Sequence, residues 1–265
     1  MLKPVTTART IAEARRAARA LPGFPGPLPQ TLARAYAIQA EAIALWEDRV
    51  AGWKIGRITG TDEARFGKNR FIGPIFAQTV RDAENDAVDA FPVIAGGSAA
   101  LEVEVVAVLG RDAAPTDVQR NPEDVRALIG DLRIGIEVAG CPIPEMNDLG
   151  PLASIAAFGN NMALILGPVI TDWRDRDLDT IACRSTIDDV EVGSAIAGKL
   201  PGGILTAVAF ALDQAAELGI GLPAGTLLST GAITGVHPVT IGQTCVADFG
   251  DLGLLRCRTA QAQPE

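Results

Sequence analysis

The sequence predicts an α+β fold, with helices first and strands dominating the remainder. Three observations carry this. Regular helical patterns open the chain and recur only twice later. From Gly52 onward, apolar runs of strand length follow one another between glycine-bearing turns. Helices and strands do not alternate as a parallel β/α fold requires. The 265 residues, 48% of them apolar, allow one large domain or two small ones with a sizeable core.

Thr10-Ile-Ala-Glu13 has the form of a capping box, and an Ala/Arg-rich helix extends from it to about Leu21. Pro22, Pro25, Pro27 and Pro29 then interrupt any helix. A second helix starts near Thr31. Leu32, Tyr36, Ala40, Ile43 and Trp46 recur at helical spacing and form one apolar stripe, which makes Tyr36 and Trp46 core residues. Residues 1–50 are thus a helical segment ahead of the strand-rich residues 51–265. Gly52-Trp-Lys54-Ile-Gly56 reads as a short strand flanked by glycines, with Lys54 and Gly56 on one face. Gly60 to Pro74 is polar and glycine-bearing, which predicts a mobile loop.

Ala100 to Gly110 reads ALEVEVVAVLG. Successive side chains of a strand point to opposite faces, so Glu102 and Glu104 share one face and Leu101, Val103 and Val105 take the other. The wholly apolar run Val105 to Leu109 suits a strand buried on both sides. Two carboxylates on such a strand repel each other and lose hydration, so they need a cation or a proton. Taken alone, an E-x-E also fits glutamates facing solvent on an ordinary half-buried strand. Asn121-Pro-Glu-Asp124 is a helix start, with a cap, a first-turn proline and acids at the positive dipole end, and the helix is expected to reach about Leu132. Arg133 to Ala139 follows as a strand that sets Glu137 between Gly135 and Ala139, with room beside it for a ligand, and a glutamate facing solvent fits this pattern equally.

Met162 to Ile170 is a further apolar strand. Ile181 to Ile196 is a hairpin turning at Asp188-Asp189. Pro201 to Leu218 is a helix closed by Gly219, and Thr226 to Thr230 is a strand ending at Gly231. Val239 to Arg258 reads as two strands around Gly250-Asp-Leu-Gly253. The net charge of −9, with no basic block, leaves no electrostatic footprint for nucleic acid or an anionic membrane. None of Cys141, Cys183, Cys245 and Cys257 forms a C-x-x-C pair, which predicts free thiols and a reducing compartment. The N-terminus lacks the apolar core of a signal peptide and no run is long enough to span a membrane, so a cytoplasmic location is expected.

Glu102, Glu104 and Glu137 lie on two strands that could converge. An all-oxygen set suits a hard cation such as Mg2+ or Mn2+, and a 2-oxo acid could chelate the same ion through its carboxylate and keto oxygens. At these residues the chain resembles the 2-keto-4-pentenoate hydratase (2-hydroxypenta-2,4-dienoate hydratase) branch of the fumarylacetoacetate hydrolase superfamily. The resemblance runs through Leu32 to Gln39, Gly52 to Gly56, Leu101 to Glu104, Ile136 to Val138, Leu164 to Pro168, Leu228 to Gly231, Gly235 to Pro238 and Phe249 to Gly253.

That resemblance implies a mixed β-roll with N-terminal helices packed on it, the catalytic domain covering residues 51–265. It implies a divalent metal held by Glu102, Glu104 and Glu137, and Lys54 as the active-site lysine. It implies a hydratase of aromatic catabolism acting on a small 2-hydroxydienoic or 2-oxo acid through a metal-stabilised enolate, in a homo-oligomer. Thr230 and Gly231, at a strand exit, are candidates to contact the substrate carboxylate. His237, the one histidine, precedes Pro238 and reads as structural, and Ser229 lacks the context of a hydrolase nucleophile. The chain departs from the family pattern at Ala139-Gly140-Cys141-Pro142, at Ala157 to Asn161 and at Gln243, which bears on the substrate more than on the fold or metal. Decarboxylation of a vinylogous 2-oxo diacid, hydrolytic cleavage of an acylpyruvate, and a non-catalytic supporting subunit are the alternatives.

Overall fold

A computed structural model describes residues 6–83, 89–116 and 121–264. In chain order the elements are α1 (Thr7–Arg16), α2 (Leu32–Ala44), β1 (Val50–Arg57), α3 (Gly60–Phe66), β2 (Arg70–Phe76), β3 (Val80–Asp82), β4 (Asp89–Val93) and β5 (Ser98–Leu109). There follow α4 (Pro122–Leu128), β6 (Ile129–Cys141), α5 (Pro151–Ala156), β7 (Asn161–Val169), β8 (Ala182–Ile187) and β9 (Val190–Ile196). The chain closes with α6 (Gly203–Glu217), β10 (Leu227–Ser229), β11 (His237–Pro238), β12 (Thr244–Asp248) and β13 (Leu254–Gln261).

The strands form two mixed sheets. The larger, of eight strands, runs β2-β1-β10-β5-β6-β7-β3, with β11 added on β5. The smaller, of five, runs β4-β13-β12-β8-β9. Pairing is parallel between β1 and β10 and antiparallel between β10 and β5 and between β5 and β6. On one face of the large sheet, Leu101, Val103, Val105, Ile134, Ile136 and Val138 join the main core, with the buried face of α6. On the other face Ile75, Val106, Leu164, Leu166 and Leu227 form a separate apolar cluster. Cross-strand partners lie on the same face of a sheet. The pairs Lys54 with Ser229, Ser229 with Val106, and Glu137 with Leu164 and Glu102 therefore put the polar side chains on this second face, beside the apolar cluster.

The N-terminal helices pack as a pair against this body. Their buried faces, with Ala8, Ile11, Ile38 and Ala42, share a cluster with Phe76, Phe158 and Trp46, which lies past the end of α2 rather than on its stripe. Gln39, buried on α2, donates to the carbonyls of Ile72 (3.2 Å) and Ile155 (2.9 Å), which ties α2 to β2 and to the α5 region.

Several expectations need correction. Thr6 caps α1, so the helix starts ahead of the Thr10 box and ends at Arg16 rather than near Leu21. On α2 the buried face centres on Ala35, Tyr36, Ile38, Gln39 and Ala42, leaving Ala40 exposed. A buried polar residue, Gln39, hides that face from a hydrophobicity count. The predicted loop from Gly60 to Pro74 is instead α3 followed by most of β2. α3 buries no residue and shows no periodicity, whereas β2 buries all of its residues and shows no alternation. The helix capped by Asn121 stops at Leu128, because β6 begins at Ile129. The hairpin, α6 with Gly219 after it, and β12–β13 stand where the sequence places them. Asp188 and Asp189, with φ of 49° and 63°, make the left-handed two-residue turn that suits twisted strands. The four cysteines are buried and none of them forms a disulfide. Among the described residues no helix is long and apolar enough to cross a membrane.

Candidate active site

The alternation of β5 puts Glu102 and Glu104 on one face, and the register with β6 sets Glu137 directly opposite Glu102. One carboxylate oxygen from each of the three lies within 4.8 Å of the others. All three side chains are buried, Glu104 and Glu137 completely. β1 lies inside the sheet, between β2 and β10, and Lys54 on it is buried. Its Nζ is 2.8 Å from Glu137 Oε1 and 3.8 Å from Glu102 Oε2.

The remaining partners hold two of the carboxylates in place. Ser229 Oγ and the Gly231 amide (2.8 Å) both donate to Glu104 Oε2. Asn161 Nδ2 donates to Glu137 Oε1 at 3.2 Å. Glu104 Oε1 and Glu137 Oε2 are nevertheless buried with no hydrogen-bond partner. Three carboxylates and one ammonium sum to a charge of −2, and the unsatisfied atoms are hard oxygens. The set thus fits a divalent cation, which would match both the charge and the free lone pairs.

The electrostatics agree. Burial, the charge of Glu137 and an opposing pull from Lys54 leave Glu102 at about 7, against an ordinary 4.5. Burial together with the charges of Glu137 and Glu102 holds Glu104 well above its usual range. Desolvation pulls Lys54 down, but the neighbouring carboxylates outweigh it, so its ammonium is held above the normal lysine value.

The cluster opens onto a cleft of about 460 Å3, lined by Lys54, Glu102, Phe71, Asn160, Arg57 and Asp62 among others. A larger cleft of about 540 Å3, between α3 and α6, is lined by Glu63, Lys68 and Glu217 and holds none of the three glutamates. The space beside Glu137 is tighter than the small residues around it imply. A Cβ on Gly135 would meet Val106 Cγ2 at 2.7 Å. The opening is on the side of Lys54 and Glu102, both of which line the cleft.

Thr230 and Gly231 lie beside the cluster with their donors engaged inside the protein: the Thr230 hydroxyl donates to Val105 O (2.8 Å) and the Gly231 amide to Glu104. His237 pairs with Thr234 Oγ1 at 3.2 Å, and its ring abuts Gly193. Sequence reasoning missed the work of Ser229, Asn160 and Asn161. In the sequence Ser229 carries only the negative signal of lacking a hydrolase context, and the Asn160-Asn161 pair at the entry to β7 is the signal for the other two.

A family model for the fumarylacetoacetate (FAA) hydrolase C-terminal region matches residues 74–260. No curated protein sequence matches the chain. Among solved structures, 4-oxalocrotonate decarboxylase from Pseudomonas putida G7, complexed with calcium and acetate, superposes with a TM-score of 0.80 at 21% identity, over 98% of this chain and 99% of its own. The same enzyme complexed with magnesium and adipate gives 0.79 at 21% identity, over 98% and 99%. Fumarylpyruvate hydrolase from Pseudomonas aeruginosa, in complex with Mn2+ and pyruvate, gives 0.57 at 18% identity, over 81% of this chain and 91% of its own. At these identities the likeness is one of fold, and the fold is the expected α+β arrangement of mixed sheets with a few helices. α1, α2 and Lys54 precede the matched family region, yet the decarboxylase superposition covers nearly the whole chain.

Proposed function

The chain belongs to the fumarylacetoacetate hydrolase family, and on that premise we propose that it is a divalent-metal-dependent lyase of the 2-keto-4-pentenoate hydratase type. Its substrate in this reading is 2-hydroxypenta-2,4-dienoate or a related small 2-oxo acid of aromatic catabolism. The observation that carries the reading is the buried cluster of Glu102, Glu104, Glu137 and Lys54, opening onto a cleft of small-molecule size. Four buried cysteines without a disulfide suit a cytoplasmic enzyme, and assembly as a homo-oligomer belongs to the same proposal.

Glu102, Glu104 and Glu137 would hold Mg2+ or Mn2+. When bound, the ion supplies a Lewis acid that draws charge from the substrate's carboxylate and the oxygen next to it. The chain's own groups do the rest. Ser229 and the Gly231 amide fix Glu104, and Asn161 fixes Glu137, so the ligand oxygens need little rearrangement. Lys54, held as a cation, attracts the anionic substrate. Its Nζ gives a proton to carbon and takes back the one the dienol hydroxyl loses, so Lys54 ends as the cation and the product is a conjugated 2-oxo acid to which water adds. Thr230 and Gly231, at the strand exit beside Glu104, border the substrate's carboxylate.

The test is a Mn2+ titration of metal-stripped protein beside Glu104→Gln, followed by turnover of 2-hydroxypenta-2,4-dienoate. One tight site, much weakened in the variant, and a hydrated 4-hydroxy-2-oxo acid as product are expected. Carbon dioxide released from a vinylogous 2-oxo diacid would assign a decarboxylase instead, and two carboxylic fragments from an acylpyruvate a hydrolase. No metal binding, even with oxalate as a chelating co-ligand, would leave a supporting subunit.

A further inference from the structure

Between α5 and β7 the chain makes a tight left-handed turn: Phe158, Gly159 and Asn160 have φ of 55°, 66° and 59°. This backbone is costly for a bulky aromatic residue, and such strain persists only where the surroundings over-determine it. Here they do. The Phe158 ring lies 5.6 Å from Trp46 and 5.3 Å from Phe76, and the Arg15 guanidinium sits over all three rings. The same guanidinium donates to the carbonyls of Asn161 (2.6 Å) and Met162 (3.3 Å), which pins the exit of the turn. At the apex the turn is pressed onto the site. A Cβ on Gly159 would stand 2.5 Å from Gly73 Cα and 3.2 Å from Lys54 Cδ.

This clamp delivers two asparagines with different tasks. Asn161 gives its Nδ2 to Glu137 and does not line the cleft, although its Oδ1 is likewise buried without a partner. Asn160 has no hydrogen bond to any of the glutamates. It is only 8% exposed, lines the cleft with Lys54 and Glu102, and its Oδ1 is buried without a partner. A buried acceptor is left unpaired only at a cost, which a ligand donor removes on binding.

We propose that Asn160 is a specificity-determining residue whose side-chain oxygen accepts a hydrogen bond from a ligand hydroxyl, so that the cleft prefers 2-hydroxy acids over their 2-oxo counterparts. This rests on the reading of the cleft as a site for small metal-chelating carboxylates. It adds that the hydroxyl form, the dienol rather than the ketone, is the form recognised.

L-lactate and pyruvate differ at that one oxygen, and oxalate chelates without any O–H. Their affinities for the Mn2+-loaded protein, measured calorimetrically, separate the possibilities. Asn160→Gly is the variant of choice, because glycine adopts the left-handed backbone freely. The expected result is a roughly tenfold loss of lactate affinity, the size of one neutral hydrogen bond, with Mn2+, oxalate and pyruvate binding within about twofold of the parent. Equal losses for lactate and pyruvate, or no loss, would overturn the proposal. A collapse of Mn2+ affinity in Asn160→Gly would also overturn it, making the residue part of the metal cluster's frame. If oxalate fails to bind the Mn2+-loaded parent, the chelating-site reading falls and the inference falls with it.

Discussion

Metal binding at this site should be coupled to protons, and the coupling has a calculable sign and size. Glu102 in the metal-free protein sits at about 7 against an ordinary 4.5. Its folded value is raised, so between those two pH values the native state keeps a proton that the unfolded chain has released. The stability of the metal-free protein therefore falls as pH rises through that window, by on the order of 3 kcal/mol for this group, and levels off above it. A divalent cation needs the carboxylates ionised, so binding must expel what they hold. Glu104, also held high by burial and by its two neighbours, contributes in the same direction. Calorimetric Mn2+ titrations at pH 6, in two buffers of different ionisation enthalpy, count the protons directly. About one to two should leave per ion, and affinity should rise about tenfold per pH unit for each proton below the window's upper end. Thermal melts with and without Mn2+ give the companion result: the metal should stabilise more at pH 8 than at pH 5. Zero proton release at pH 6, with affinity flat from pH 6 to pH 8, would refute the reasoning, since it would mean that the three carboxylates are already ionised without the metal.

Lys54→Met removes the ammonium that shares the cluster with the glutamates. Turnover should fall by roughly 10²–10⁴-fold, while Mn2+ affinity holds or tightens because a competing cation is gone, and a large loss of Mn2+ affinity would contradict this. Ser229→Ala strips one of the two donors from Glu104 Oε2 and should weaken Mn2+ binding about tenfold through the less restrained ligand, a change visible in the same titration. Gly159→Ala places a methyl group against Gly73 and into left-handed backbone and should lower unfolding free energy by roughly 2–4 kcal/mol, read from denaturant midpoints.

Legibility followed the range of the interactions involved. The hairpin at Asp188-Asp189 and the helix closed by Gly219 were readable because a turn or a cap is decided by a few neighbouring residues. α3 was not, since it buries nothing and carries no periodic signal, and β2, buried throughout, lost the alternation that marks a strand. In the site, the glutamates and Lys54 could be named in advance. Ser229, Asn160 and Asn161 could not be given their tasks, because an uncharged polar side chain reveals nothing until its partner is known.

What the sequence alone determined is that Glu102 and Glu104 share a face, since alternation is a property of the strand's own backbone. It also determined that so many carboxylates in an apolar setting would need compensation. The tertiary structure decided the rest. The β5–β6 register placed Glu137 opposite Glu102 rather than one residue away, where it would have faced the main core. The parallel pairing of β1 with β10 brought Lys54 beside Ser229, and the antiparallel pairing of β10 with β5 brought Ser229 to Glu104. The clamp of α1 on the turn before β7 set Asn160 in the cleft. Each of these depends on segments far apart in the chain, whose relative placement is chosen by the burial of the whole and by no local preference of their own.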